Sequence, residues 1–139
     1  MNVFADSFDV STKGNSDTTN ITENIQQAIK KSKITEGIAL VFISGSTAAI
    51  SAIEYESGLL KDFPRALEKI APKDAPYAHS KRWGCDNGSS HVKSTIIGPS
   101  LTIPITSGTL DVGKWQQIVL IDFDTRPRQR TVKIKILGS

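Results

Sequence analysis

In Ile38-Ala39-Leu40-Val41-Phe42-Ile43 every residue is apolar. A short, unbroken apolar run of this length predicts a central β-strand that is covered on both faces. The turn Ser44-Gly45-Ser46-Thr47 follows it and leads into a second predicted strand at about 47–55. In that strand the residues alternate, with Ala48, Ile50 and Ala52 on one face, and Glu54 continues this face at its end.

Further helices and strands are predicted on both sides of this pair. Ile21, Ile25, Ala28 and Ile29 recur at helical spacing and predict a helix at about 22–33 with one buried stripe. Residues 57–70 predict a second helix, or two short ones, because Pro64 tolerates only a first-turn position. Other strands are predicted in the first ten residues and at 91–97, 101–105, 116–123 and 131–137.

The connections complete the predicted architecture. Residues 72–90 contain little periodicity and predict a long loop, and residues 125–128 predict a hairpin between the last two strands. Together these elements predict one α+β domain over residues 1–139. It is mostly antiparallel and sandwich-like, with about seven strands and two helices.

The composition is that of an ordinary globular protein. Hydrophobic residues are 38% of the chain and charged residues 22%, and no apolar run approaches the ~20 residues that cross a bilayer. The first residues lack the basic start and apolar stretch of a signal peptide. Cys85 is the only cysteine and cannot form an internal disulfide. We therefore expect a cytoplasmic protein without a membrane partner.

The charge gives little support for nucleic-acid binding. The formal net charge is +3, and the basic residues are spread out apart from Arg126, Arg128 and Arg130. No helix-turn-helix, zinc-finger or aromatic-basic signature accompanies them. We expect no specific nucleic-acid partner.

The two histidines of the chain, His79 and His91, lie within or beside the long predicted loop. Two imidazoles that converge from a loop and the following strand can bind Zn²⁺ or act as acid and base. Their spacing matches no standard zinc motif. The alternative is that both are surface histidines that cap loop hydrogen bonds, and the residues alone leave the two interpretations evenly balanced.

Other polar residues extend the candidate site. Glu54 can complete a His-His-Glu centre, but the residues alone favour a strand that has already emerged into solvent. The hydroxyls and N–H groups of Ser44-Gly45-Ser46-Thr47 can cradle a phosphate, with a plain hairpin turn as the alternative. Gln116 follows Trp115 at the start of a strand and can place an amide beside a pocket.

Several separated motifs of the chain occur together in one known family. They are Pro76-Tyr77-Ala78-His79, Asn87-Gly88-Ser89-Ser90-His91-Val92-Lys93, Gly98-Pro99-Ser100-Leu101-Thr102-Ile103-Pro104, Gly113-Lys114-Trp115-Gln116-Gln117, and the ending Asp122-Phe123-Asp124 through Arg126-Pro127-Arg128 and Arg130. On these motifs the chain resembles the YjbQ-like family, described as secondary thiamine-phosphate synthase enzymes. The resemblance covers essentially the whole chain.

The resemblance implies a small, mostly antiparallel α+β fold assembled as a homotrimer, which can pair into a hexamer. The family's histidines and asparagine match His79, His91 and Asn87, and its strand-end glutamate matches Glu54. They imply a pocket for a divalent metal, with zinc as the first expectation and magnesium as the second. The implied activity is a side ability to couple a pyrimidine diphosphate to a thiazole phosphate. Many members carry a histidine at the position of Gly45, so this chain lacks one imidazole of the implied site.

The leading hypothesis is therefore a metal-assisted transferase that resembles thiamine-phosphate synthase. Because pyrophosphate leaves in that reaction, a metal or basic groups must neutralise the developing charge. The expected catalytic and metal-binding residues are His79, His91 and Glu54, and those expected to orient a phosphorylated substrate are Ser46, Thr47, Asn87, Ser90 and Gln116. The alternatives are a non-catalytic metal or small-molecule binding protein and a metal-dependent hydrolase that uses the same histidines.

Overall fold

The computed structural model describes all 139 residues as eight strands and four helices. The strands are β1 (Asn2–Thr12), β2 (Asp17–Asn20), β3 (Gly37–Ile43), β4 (Ala48–Ile53), β5 (Ser100–Thr106), β6 (Thr109–Leu110), β7 (Gln117–Asp122) and β8 (Arg128–Gly138). The helices are α1 (Thr22–Ser32), α2 (Leu59–Ile70), α3 (Ala78–Trp83) and α4 (Gly88–Ile97). The predicted α+β class is confirmed.

The strands form two antiparallel sheets. The five-stranded sheet has the order β1-β8-β3-β5-β6, and the three-stranded sheet has the order β2-β7-β4. In the larger sheet Gly37 of β3 lies opposite Gly138 of β8. A Cβ on Gly37 would lie 2.0 Å from the carbonyl oxygen of Leu137, so this close approach of two backbones requires glycine.

The main core lies between the two sheets and includes one face of α1. On β8 the residues Val132, Ile134 and Ile136 point inward, as the alternation of their sequence predicts. The predicted helix at 22–33 is confirmed as α1, and Ile25, Ala28 and Ile29 form its buried stripe. At its start the side-chain oxygen of Asn20 accepts a hydrogen bond from the N–H of Thr22, which satisfies one of the free donors of the first turn.

A second, smaller core covers the other face of the three-stranded sheet. Ala49, Val119, Ile121 and Phe123 pack there against Leu67 of α2. β4 and β7 are therefore the strands that are covered on both faces, whereas the sequence predicts this for residues 38–43. On β3 only the inward residues are buried, whereas the side facing away from the core leaves Ile38 43% and Phe42 38% exposed. β3 is a central strand, as predicted, between β8 and β5, but its outer face is not covered within one chain because no helix lies on it.

The segment 91–97, predicted as a strand, is the last part of helix α4. The predicted loop at 72–90 also contains the short helix α3 and the start of α4. The buried side of α4 carries mainly Ser90, Lys93 and Ser94. These residues recur at helical spacing, but because they are polar they produce no hydrophobic period, and the helix is therefore not predicted from the sequence.

The two turns predicted as hairpins instead carry the chain from one sheet to the other. The turn at 44–47 connects β3 to β4, and the segment 123–127 connects β7 to β8. Pro64 also departs from expectation, because it lies inside a single continuous α2 rather than in a first turn. None of the helices combines the length and the apolar character needed to cross a membrane.

Candidate functional site

The two sheet-to-sheet connections lie side by side and form a polar corner of the molecule. Ala48 of β4 pairs with Asp122 of β7, and just beyond this pair the N–H of Phe123 donates to the carbonyl oxygen of Thr47 over 2.9 Å. Both connections are therefore fixed to each other where they leave the three-stranded sheet. We call this region, residues 44–47 and 122–130, the corner.

A buried ion pair between Arg130 and Asp122 holds the corner together. The guanidinium of Arg130 donates from Nε and Nη2 to the two carboxylate oxygens of Asp122, over 2.7 and 2.9 Å. Nη2 also donates to the hydroxyl of Thr47 over 2.7 Å, and the hydroxyl of Thr12 donates to Asp122. Burial opposes ionisation of Asp122, but the hydrogen bonds from Arg130 and Thr12 outweigh it and lower its pKa.

A second carboxylate, Asp124, extends this network toward the surface. It accepts hydrogen bonds from the hydroxyl of Thr47 and from Nε of Arg128, and from the backbone N–H of Thr125. Burial raises the pKa of Asp124, whereas the bonds from Thr125, Arg128 and Thr47 lower it below its usual value. Two arginines and two aspartates thus balance each other's charge at the corner.

The two histidines meet beside this corner. His79 is on α3 and His91 is on α4, and their ring centroids are 4.4 Å apart with an angle of 55° between the planes. Burial lowers the pKa of His91, and the neighbouring His79 lowers it further, against the opposing effect of a hydrogen bond to the backbone of Ser46. Near neutral pH the His91 ring is therefore uncharged and able to accept a proton or bind a metal.

Asn87 immediately precedes α4 and Ser90 lies in its first turn, both close to His91 in sequence. The backbone N–H of His91 donates to the carbonyl oxygen of Asn87 over 3.2 Å, so the two residues share one face of the helix. The amide oxygen of Asn87 is buried and has no hydrogen-bond partner, the only buried side-chain polar atom in this state. An unpaired buried oxygen of this kind needs a donor or a cation to offset its lost hydration.

Ser90 lines a polar cavity of about 270 Å³ next to the corner, together with Asp86, Thr125 and Lys93. The ammonium group of Lys93, almost entirely buried, donates to Glu68 over 2.6 Å. The hydroxyl of Ser90 makes no hydrogen bond to another residue and remains open to a ligand in this cavity.

Two of the predicted site residues lie far from the histidines within one chain. Glu54 directly follows β4, whereas Ser46 precedes it, and β4 contains six residues, which separates the two ends by about 20 Å. Gln116 is at the same distant end, because Gln117 pairs with Ile53. Glu54 and Gln116 line a shallow cleft with the exposed Trp115.

The structure thus brings together His79, His91, Ser46, Thr47 and Asn87, with Ser90 one residue away on α4, and leaves Glu54 and Gln116 apart. No three histidine, cysteine or acidic side chains of one chain form a group suited to a metal ion. The nitrogens of the two histidines are nevertheless ligands that zinc accepts, and the buried amide oxygen of Asn87, one helical turn before His91, lacks a hydrogen-bond partner. These side chains are the candidates to hold a metal.

The sequence interpretation overlooked Asp122, Asp124 and Arg130 as parts of the site. The sequence nevertheless contains a pattern that points to them. Val132, Ile134 and Ile136 are alternate residues that face inward, and the same alternation two and four residues earlier places Arg130 and Arg128 on the buried face. Buried arginines require carboxylate partners, and Asp122 and Asp124 are the acidic residues just before that strand.

Comparison with known proteins gives a consistent result. The family model for UPF0047 proteins, YjbQ-like, matches residues 6–139. A UPF0047 protein of Methanothermobacter thermautotrophicus is 33% identical over 138 residues, which are 99% of this chain and 94% of that protein. One of Archaeoglobus fulgidus is 34% identical over 117 residues, 84% of this chain and 88% of that protein.

Solved structures agree with the sequence relatives. The crystal structure of a YbjQ-like protein of unknown function from Sulfolobus solfataricus superimposes with a TM-score of 0.94 at 33% identity and covers 99% of each chain. A hypothetical protein from Aeropyrum pernix gives a TM-score of 0.91 at 28% identity, over 98% of this chain and 99% of that one. The chain therefore belongs to the YjbQ-like, UPF0047 family.

Proposed function

We propose that this protein is a metal-assisted transferase that acts on phosphorylated small molecules and resembles thiamine-phosphate synthase. The observation that carries the proposal is the contact between His79 and His91 beside a corner rich in hydrogen-bond donors. In the reaction we propose, a pyrimidine diphosphate is coupled to a thiazole phosphate and pyrophosphate leaves.

In this proposal His79, His91 and the amide oxygen of Asn87 hold the metal. The metal, zinc first and magnesium second, would supply positive charge that stabilises the leaving pyrophosphate. The residues of the chain itself would bind and orient the substrate. His91, held uncharged by burial and by His79, keeps the free lone pair that a metal ligand needs.

The hydroxyls at the corner are not equivalent in this role. Thr47 donates to Asp124 and accepts from Arg130, so its hydroxyl is engaged and positions the turn rather than the substrate. Ser46 is exposed, and its hydroxyl makes no hydrogen bond to another residue, so it is free to donate to a phosphate oxygen. Ser90 offers a second free hydroxyl from the neighbouring cavity.

Glu54 and Gln116 can serve the same site only if a neighbouring chain provides them. We propose a homotrimer, or a pair of trimers, in which this occurs. The exposed side of β3 supports an assembly, because Ile38 and Phe42 form an apolar surface that soluble monomers normally cover.

Zinc binding is the first test of the proposal. A metal at ~100 times its dissociation constant stabilises the folded state by about 2.7 kcal/mol, which raises the melting temperature of a domain of this size by several degrees. We expect metal-stripped wild type to show this rise on adding zinc. His79→Ala and His91→Ala should each lose the rise and keep the fold.

The matched controls are Lys81→Ala on α3 and Val92→Ala on α4, both exposed neighbours of the histidines. Both should keep the rise. If calorimetry shows that the two histidine variants bind zinc as tightly as wild type, the metal lies elsewhere and the proposed mechanism is wrong.

The reaction is tested separately with zinc-loaded protein, a pyrimidine diphosphate and a thiazole phosphate. Coupled product with release of pyrophosphate supports the transferase. Release of phosphate by water indicates the hydrolase, and binding without turnover indicates a metal or small-molecule binding protein.

A further inference from the structure

The guanidinium of Arg130 has one amino group that the chain does not use. Nε and Nη2 donate to Asp122 and Thr47, whereas Nη1 donates to no residue. The side chain is only 10% exposed. Nη1 itself is not fully buried, although it has no partner in the chain. This group therefore reaches solvent through an opening in the surface.

Gly45 creates that opening. A Cβ at this position would lie 3.1 Å from Nη1 of Arg130, the only atom within 4 Å of it. Any side chain at position 45 would therefore cover the amino group. Gly45 has φ +132°, a conformation that glycine adopts without strain, so the turn both requires glycine and leaves the arginine accessible.

The opening lies next to the histidine pair. Gly45 and Ser46 are adjacent, so their Cα atoms are about 3.8 Å apart, and the backbone of Ser46 is close enough to the ring of His91 to raise its pKa. A ligand atom that reaches Nη1 past Gly45 is thus close to Ser46, which is exposed, and to His91.

The chemistry of these groups selects an anion. A guanidinium has donors and no acceptor, and its bonds to an anionic oxygen are stronger than bonds between neutral groups. The remaining N–H groups of Arg130 are held in fixed directions because Asp122 binds the other edge of the guanidinium. Their position is therefore set before a ligand binds, and binding orders no flexible side chain.

We propose that Gly45 exposes Arg130 as the binding group for a phosphate oxygen of the ligand, with Ser46 as a second donor. The class of ligand, a phosphate monoester or a diphosphate, rests on the proposed function. The anion site itself needs no metal and stands independently of the zinc proposal.

The test is a titration of chelator-treated protein with inorganic phosphate and with pyrophosphate, followed by NMR of arginine side chains. We expect the Nε–H signal of Arg130 to shift on saturation, because Nη1 of the same guanidinium gains a partner. Acetate should bind more weakly, since a carboxylate carries less charge than these anions. A signal that does not move with either anion would overturn the proposal.

Two variants address the opening and the arginine. Gly45→Ala covers Nη1, and Arg130→Lys removes it, so each should weaken pyrophosphate binding by about tenfold or more. Arg65→Lys is the matched control, because Arg65 is an exposed arginine of α2 outside the corner, and it should bind as wild type does.

Circular dichroism and melting curves check that each variant is folded. If one variant is unfolded, the affinity of the other variant and the NMR shift of the wild type test the proposal. Retained affinity in both folded variants, or an equal loss of affinity in Arg65→Lys, would overturn the site. Zinc binding by the histidines is measured on the same Gly45→Ala protein. If Gly45→Ala loses anion binding and keeps zinc binding, the anion site is supported. If the wild type binds the anion but not zinc, only the metal proposal is refuted.

Discussion

Arg130→Met removes the cation at the centre of the buried corner and tests whether that network stabilises the fold. The variant loses three hydrogen bonds of 2.7, 2.9 and 2.7 Å and leaves the carboxylate of Asp122, which is 0% exposed, without its counterion. Breaking a buried pair by removing one partner costs about 3–5 kcal/mol of unfolding free energy. With a urea dependence near 2 kcal/mol/M, the midpoint should fall by roughly 2 M.

The control for this measurement is Lys31→Met, which breaks the pair between Lys31 and Asp6. Those side chains are 65% and 25% exposed, so solvent screens the pair and its loss should cost less than about 1 kcal/mol. Both variants are unfolded in urea at one fixed protein concentration, because an oligomer's stability depends on concentration.

A double variant, Asp122→Leu with Arg130→Met, sharpens the test. Replacing both members of a buried pair by apolar groups removes the unpaired charge, so this variant should be more stable than Arg130→Met alone. If Arg130→Met loses no more stability than Lys31→Met, the argument that the corner is held by its buried charge is refuted.

Three further predictions concern assembly, nucleic acid and pH. Light scattering should give about three or six times the 15.1 kDa chain mass, and Ile38→Lys should shift the protein toward monomer; a wild-type monomer at micromolar concentration would refute the assembly. Nucleic-acid binding should be indifferent to sequence and fade between ~50 and ~200 mM salt, because no recognition helix carries Arg126; tight binding to one sequence at physiological salt would contradict this. Because the pKa of His91 is lowered from 6.5 in the folded state, the unfolded chain binds more protons in the window just below 6.5. Stability should therefore fall as pH drops through that window, and melting curves of His91→Gln should lose this part of the pH dependence.

The parts of the fold that the sequence predicts well are those where hydrophobic residues follow the period of the element. Helix α1 and strand β8 each expose one polar face and bury one apolar face, so their periods of 3.6 and 2 are visible in the residues. Helix α4 is not predictable in this way, because its buried side is largely Ser90, Lys93 and Ser94. Their environment is decided by partners distant in sequence, such as Glu68 for Lys93.

The candidate site shows the same division. His79 and His91 are identifiable because they are the only histidines, and the structure places them in contact. In the sequence Glu54 continues the face of β4 that carries Ala48, Ile50 and Ala52. This alternation shows which side of the strand a residue is on, but not how far along the strand it lies. The extended backbone carries Glu54 about 20 Å from Ser46, a separation that becomes evident only when the two ends of the strand are located.

The position of β8 has a consequence for how the chain acquires its structure. It is the last strand in sequence, yet it lies between β1 and β3. Both of these strands come from the first third of the chain. Until β8 is inserted, β1 lacks its only partner and β3 has an unpaired edge, and such edges associate readily with other chains. A nascent or refolding molecule is therefore most vulnerable to aggregation before β8 joins the sheet, and substitutions that slow this joining should lower the yield of soluble protein even when the finished fold tolerates them.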